Sequence, residues 1–458
     1  MAAVIGAPQT STRNTTQYTE YLGTKNPNPI NCTHFPNFPP CTLPIMSTIQ
    51  IKPFYAIYPS TSDAPRVASV PYDVVSKEEA SDIATQNEES FMHVVRSEVD
   101  LPADCSPYDA VVYEKARENY LRLRESGALQ KDKTPCLYLY RQCMGDHSQV
   151  GLVACCNVDD YNNNLIKKHE NTRKIKEDDR TNHVLGINAN SGPVFLTYIG
   201  QPDIDRIVDD EMNKRPMFHF VADDGVMHTG WRVENGTELQ AAFSSVEVAY
   251  VADGHHRSAS AARAAVTRKE ANPNHDGSEE YNWFLAVLFP SSQLHILSYN
   301  RIVTDLHGQS TEEFIEAVSE VGTVAPTKNP VPEATGGCCF YVGKNHGWFT
   351  IEFDTASIDH LDPIASLDVE LLQQRILTPV LGIGDQRSDT RIDFVGGIRG
   401  TEELEKRVDS GIASVAFSMF PTTIQQLLDV ADADLIMPPK STWFEPKLRS
   451  GLFVHDLD

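Results

Sequence analysis

The chain has 458 residues, 41% of them hydrophobic, and carries 63 acidic against 39 basic side chains for a formal net charge of -24. That length suggests two or three domains at ~100–200 residues each, and no apolar run reaches the ~18 residues a membrane span needs. The negative surface repels nucleic-acid phosphates and no long basic run reverses it locally, so DNA or RNA binding is disfavoured.

Residues 1–46 are rich in Asn, Pro and Thr, with neither helical nor strand periodicity, and read as a disordered extension. They lack the charged and apolar regions of a secretory signal. The ordered pattern opens with strand-like IQIKPFYAIYP and a turn-rich VPYDVVS. SKEEASDIATQN reads as a helix with Ser76 at its N-cap and Glu79 three residues on, a capping box. YDAVVYEKARENYLRLRESGAL has a 3.6 period and stops at Gly127. CLYLYRQCM and VGLVACCNV are strand-like runs joined by a polar GDHSQ, predicting a hairpin. GPVFLTYI and VEVAYVAD are further strands, and YNWFLAVLFP with LHILSYNRIV look like another pair. After about residue 306 the pattern restarts: STEEFIEAVSEV helical, a hairpin around Gly343 to Gly347, then ASLDVELLQQRILTPVL helical. The mixture is α+β, with mixed sheets and antiparallel pairs rather than a regular βαβ alternation. Boundaries fall at 1–46, 47–305 and 306–458, the last a second α/β region that completes the site.

Nine cysteines are present without any CxxC pair. The adjacent Cys155–Cys156 and Cys338–Cys339 sit in apolar, strand-like contexts, as buried free thiols do. Neither a zinc site nor a disulfide framework is indicated, and a reducing, cytoplasmic setting is expected.

The densest chemistry lies in YVADGHHRSASAARAA, residues 250–265. A strand ends at Asp253, Gly254 permits a tight or left-handed turn, and an alanine-rich helix follows. The free N–H groups of its first turn carry partial positive charge. With His255, His256 and Arg257 they would form an anion cradle, to which Ser258 adds a hydroxyl. The plainer reading has these histidines capping the strand and pairing with acidic neighbours. A metal site is weaker, because adjacent histidines diverge and no further ligands follow at helical spacing.

KKHENTRKIKEDDR places His169 and Glu170 among basic residues including Arg173, which is either a solvated charged helix or a base among phosphate binders. Phosphoryl transfer mainly requires positioning and charge neutralisation. A carboxylate near the acceptor hydroxyl takes its proton. Glu170 is the first candidate and Asp73, in its proline-flanked turn, the second. PPKSTWFEPKLRSG is apolar and basic at once, with Lys440, Ser441, Thr442 and Lys447 as candidate phosphate ligands, or a terminal segment docked by Trp443 and Phe444. It is no P-loop, since the upstream glycine spacing is absent. GGIRG at 396–400 supplies Arg399 or simply a bend.

Strand, Asp-Gly-His-x-Arg and helix together resemble the nucleotide and phosphate motif of the ParB/sulfiredoxin-like fold, which free serine kinases use. The resemblance is wider to one long-uncharacterised family whose members carry PPYDV, KRHE-T, NANTGPVF, ADGHHR, DFVGGIRG and MPPKSTWFEPK-RSG. This chain has VPYDV at 70–74, KKHENT at 167–172, NANSGPVF at 188–195, ADGHHR at 252–257, DFVGGIRG at 393–400 and MPPKSTWFEPKLRSG at 437–451. The match covers about residues 48–458. Val70, where the family commonly has proline, and the extension are departures. The resemblance implies a ParB/sulfiredoxin-like core and a free serine kinase, pyrophosphate being a donor in some members. It also assigns Asn190 and Ser191 to substrate binding. The expected companions are L-serine, pyrophosphate or a nucleotide, and Mg²⁺, with Asp253 or Asp73 as its carboxylate. A phosphate-ester hydrolase remains an alternative, because it must also hold phosphate at that helix; a ParB-like nucleotide-binding module is a second one, disfavoured by the acidity and by the absence of a helix-turn-helix with a basic recognition helix.

Overall fold

Trp283–Pro290 is apolar throughout, and both of its edges are taken. It pairs antiparallel with His147–Asn157 and parallel with Val194–Tyr198 at the centre of a nine-stranded mixed sheet. In this computed structural model, which describes residues 48–458 other than 355, 357 and 360, the expected extension over 1–46 lies outside the described residues. Across the sheet the order runs Ile166–Lys167, Ala249–Asp253, Val194–Tyr198, Trp283–Pro290, His147–Asn157, Tyr138–Met144, Met227–Arg232 and Phe218–Val221, and Ile51–Lys52 pairs beside His147–Asn157. Its fully occupied centre explains a departure from the sequence reading. The run at 294–303 is not the partner of Trp283–Pro290. His295–Leu297 pairs instead with Trp443–Glu445, and Tyr299–Val303 enters a second sheet between Ile392–Gly396 and Val415–Met419. That sheet has six strands, all antiparallel in pairing, and it begins ahead of the boundary drawn at 305. The architecture is α+β with several sheets. One apolar core runs from Phe54 through Phe289 and Phe417 to Phe453, joining both sheets.

Local signals behave as their chemistry requires. Tyr138–Met144 and His147–Asn157 form the expected hairpin, with Gly145 at φ 57° in a turn of two residues. Gly337–Tyr341 and Trp348–Phe353 form the other, closed by Gly343 and Gly347 in the left-handed region. Lys77–Gln86 starts in the Ser76/Glu79 capping box, and Thr311–Ser319 starts in a second one, built by Ser310 and Glu313. The helix expected over 365–381 is α-helical over Asp368–Leu372, then widens to a π turn over Gln373–Leu377. No helix among the described residues is long and apolar enough to cross a membrane.

Packing at the sheet centre is tight enough to test. A Cβ on Gly151 would lie 2.5 Å from Val287 Cγ1 and 2.8 Å from Phe289 Cζ. Gly151→Ala therefore forces core side chains or backbone apart and should cost about 1–3 kcal/mol of unfolding free energy in urea titration. An unchanged midpoint would contradict the packing described.

Candidate active site

Four sequence-distant motifs meet at one end of the larger sheet, and the pairing of its edge brings them there. Ala249–Asp253 runs parallel to Ile166–Lys167, with Tyr250 opposite Lys167. Parallel strands deliver their following residues to the same end. His169 and Glu170 thus emerge beside Ala252 and Asp253. The amide of Met437 donates to the His169 carbonyl at 2.8 Å and lays the C-terminal segment alongside. That segment turns at Lys440, whose φ is 57°. Buried Arg301 donates to the carbonyl of Lys440 at 3.1 Å and so backs the turn.

The helix expected at residues 257–270 begins earlier, at His255, and runs to Ala271. Its buried face is Ala259, Ala261, Ala262, Ala264 and Ala265, small enough to lie close on the sheet. Gly254 at its N-terminus has φ 98° and supplies no side-chain cap. A Cβ there would also lie 3.0 Å from Arg257 Nε, so glycine serves both the turn and the fold-back of that guanidinium. The first helical bond is Ser258 N–H to the Gly254 carbonyl, which leaves the three preceding amides without intrahelical acceptors.

These amides face a cleft of about 1020 Å³, lined by Asp73, Glu170, Arg173, Lys176, Asp253, Gly254, His255, His256, Arg257, Arg387 and Lys440 among others. An adjoining cavity of about 120 Å³ adds His169, Tyr299, Ser441, Thr442 and Lys447. The candidate residues thus come together, but in different states. Arg257 donates to Asp253 Oδ2 at 2.7 Å and to the Pro193 carbonyl, so its fork is committed within the protein, with only Nε unpartnered. Ser258 donates its hydroxyl to the Gly254 carbonyl and Ser441 to the Pro438 carbonyl. Asn190 and Ser191 line a separate cavity of about 40 Å³ behind Arg257, and Asn190 Oδ1 already accepts from the Leu285 amide. Arg399 lines neither part of the cleft. The glycines before it make room, Gly396 for the Trp443 ring and Gly397 for Ser298.

The histidines are not the cations their sequence suggests. His255 is 5% exposed, and burial drives its pKa well below the usual imidazole value, aided by His169 and against Asp253. Burial also lowers His169, to about 4, against the pull of Asp253 and the Val251 backbone. The two rings stand edge to face at 4.5 Å. Burial lowers His256 as well, with Asp73 opposing, and its Nε2 accepts from the Arg173 amide at 3.1 Å. Positive charge comes instead from lysines. Burial works against Lys440, but Tyr299, Glu170 and Asp73 outweigh it and raise its pKa. Lys447 lies 3.5 Å from Asp253 Oδ1 and over the Trp443 ring at 4.8 Å.

Two carboxylates are pushed apart. Burial would raise Asp253, yet the Lys447 ammonium and the Arg257 guanidinium hold it below the ordinary carboxylate range. Burial raises Glu170, with Asp253 adding to the shift and Lys440, Arg173 and Arg387 opposing it. A carboxyl raised in a cleft beside one kept ionised is the pattern of a proton acceptor next to a fixed charge. Tyr299 and Arg387 were not among the sequence candidates. Neither stands in a motif whose residue types signal chemistry.

Among the described residues no group of three or more His, Cys, Asp or Glu side chains is placed to hold a metal alone. Mg²⁺ with a phosphate ligand requires only one or two carboxylates. Asp73 is exposed and lines both parts of the cleft, so it fits that demand better than the doubly paired Asp253.

A family model described as a protein of unknown function (DUF1015) matches residues 51–370. No curated protein matches. Among solved structures the chain is similar to a free serine kinase in complex with AMP, with a TM-score of 0.31 and 12% identity over 64% of this chain and 86% of that one. A conserved hypothetical protein from Pyrococcus furiosus gives 0.32 and 14% over 67% and 97%. SbnI with C-terminal truncation from Staphylococcus aureus gives 0.32 and 10% over 64% and 82%. Likeness of this order carries no argument about activity.

The buried neutral histidines set a pH dependence. Burial lowers both His169 and His183 to about 4 in the folded chain. The unfolded chain then binds more protons below about pH 6.5, so stability falls as pH drops from there toward 4, by about 1.4 kcal/mol per pH unit for each histidine. Urea midpoints should fall between about pH 7 and about pH 5, and less so in His183→Gln. Equal slopes in the two proteins would contradict the assignment.

Proposed function

We propose that this chain, which belongs to the DUF1015 family, is a phosphotransferase that moves a phosphoryl group onto the hydroxyl of free L-serine, with pyrophosphate as donor. One observation carries the reading: Glu170 and Asp253 meet the uncapped start of helix His255–Ala271, together with Lys440 and Lys447, around one cleft. The motif resemblance supplies the serine and the ParB/sulfiredoxin-like core as part of the same proposal.

The roles follow from charge and geometry. The amides of His255, His256 and Arg257 donate to the donor's oxygens. Lys440 and Lys447 neutralise the charge that develops on the departing phosphate. Glu170 accepts the proton of the serine hydroxyl as its oxygen bonds to phosphorus and the bridging P–O bond breaks. Asp253 fixes Arg257 and Lys447, and neutral His255, with Nδ1 3.7 Å from Glu170 Oε2, lies beside the base without competing for its proton. Asp73 would hold Mg²⁺, which would neutralise part of the donor's charge when bound. The cleft is also large enough for a nucleotide, which favours ADP or ATP as a second donor reading.

Glu170→Gln keeps the shape and removes the base. Its turnover should fall by about 10²–10⁴ with pyrophosphate affinity little changed. Retention of most activity would assign the proton to another group. The donor is tested by supplying serine and Mg²⁺ with pyrophosphate, ADP or ATP separately and following O-phosphoserine by ³¹P NMR. Product from pyrophosphate is expected. Product only from a nucleotide overturns the donor, and phosphate release from O-phosphoserine with no product from any donor replaces the kinase by a hydrolase.

A further inference from the structure

One side of the cleft belongs to the segment that follows the π turn Gln373–Leu377, and its amides are ordered by a chain of hydrogen bonds. Gln373 Nε2 donates to the carbonyls of Ile383 at 2.8 Å and Gly384 at 3.1 Å. Two carbonyl partners fix which end of that amide is nitrogen. Gln373 Oε1 therefore accepts, and its donor is Gln386 Nε2 at 2.6 Å. Gln386 is fixed in turn, with Oε1 as its free end. Gln386 is 6% exposed, lines the cleft, and its Oε1 has no hydrogen-bond partner. A buried carbonyl oxygen without a donor is costly unless a ligand supplies one.

The next residue, Arg387, is exposed and lines the same cleft, and no ion pair to its guanidinium forms among the described residues. The neighbouring acids are committed elsewhere, Asp389 to Arg391 at 2.8 Å and Asp393 to Arg407 at 3.4 Å. Both residues line the one cleft, and an uncommitted acceptor and an uncommitted cation there are complementary to a ligand that carries an N–H⁺ donor and an anion on the same carbon. That is an α-amino acid zwitterion. A nucleotide carries its base amino group and its phosphates far apart, and pyrophosphate has no donor for the amide oxygen.

We infer that Gln386 and Arg387 grip the backbone of the amino-acid substrate, Gln386 Oε1 accepting from the α-ammonium and Arg387 pairing with the α-carboxylate. The inference rests on the reading of the cleft as a serine site and names the residues that select its acceptor. Arg387 is near enough to Glu170 to oppose the burial that raises that carboxyl. Glu170 lines the same cleft as this pair, so a side-chain hydroxyl held there shares the cleft with the base.

The test is calorimetric titration of the full chain with L-serine, L-serinamide and N-acetyl-L-serine. Wild type should bind each analogue at least about tenfold more weakly than serine, because each lacks one of the two charges. Arg387→Ala, an exposed change that should leave the melting temperature unaltered, should weaken serine by about tenfold or more and abolish the preference over serinamide while keeping that over N-acetylserine. Gln386→Leu should show the reverse preference. Serine affinity unchanged in both variants, or wild type indifferent to the two analogues, overturns the inference and leaves the kinase standing. Absence of serine binding in wild type that still binds pyrophosphate overturns both.

Discussion

The carboxylate of Asp253 sits between the Arg257 guanidinium, 2.7 Å from its Oδ2, and the Lys447 ammonium, 3.5 Å from its Oδ1. Three parts of the chain depend on this contact: the end of a sheet strand, the first turn of the helix after it, and the C-terminal segment. Burial of a carboxylate is costly unless it is paired, and two cations supply the pairing. In return Asp253 holds Arg257 back over Gly254, where only a glycine leaves room. The cleft mouth is therefore shaped by an ion pair rather than by an open arginine fork. What remains free for a ligand is the row of helix amides with Lys440 beside it.

The parallel pairing of Ala249–Asp253 with Ile166–Lys167 is the second constraint. It places the His-Glu pair of one motif beside the Asp-Gly turn of another, and the Met437 amide then docks a third onto His169. Burial follows from the same assembly. It makes His169 and His255 neutral, raises Glu170 and leaves Lys440 charged, so the proton acceptor and the cations are separated by environment rather than by residue type.

Much of this was legible in the sequence where the signal is local. The strand, glycine turn and helix at 249–271, both hairpins and the Ser76/Glu79 capping box each follow from propensity, period or turn chemistry within a few residues. The pairing of Trp283–Pro290 was not legible, because a run apolar on both faces says it is central without saying beside what. Nor was the charge state of the histidines, which depends on burial supplied by segments far along the chain. Arg257 reads as a phosphate fork until its partners Asp253 and Pro193 are placed. Ser258, Asn190 and Ser191 read as polar ligands, and the fold commits the first to its own helix and gives the other two a smaller cavity. Gln386 carries no signal in sequence at all, since its free oxygen exists only once Gln373 and two loop carbonyls fix the direction of the amide.

The central claim is that the start of helix His255–Ala271, with the segment carrying Lys440 and Lys447, is the phosphate site. Hydrogen–deuterium exchange with and without pyrophosphate and Mg²⁺ tests it most directly, because the unbonded amides of His255, His256 and Arg257 are the proposed donors. The account predicts slowed exchange in peptides spanning 253–260 and 437–450. Unchanged exchange in both, under conditions where calorimetry shows pyrophosphate bound, would contradict it.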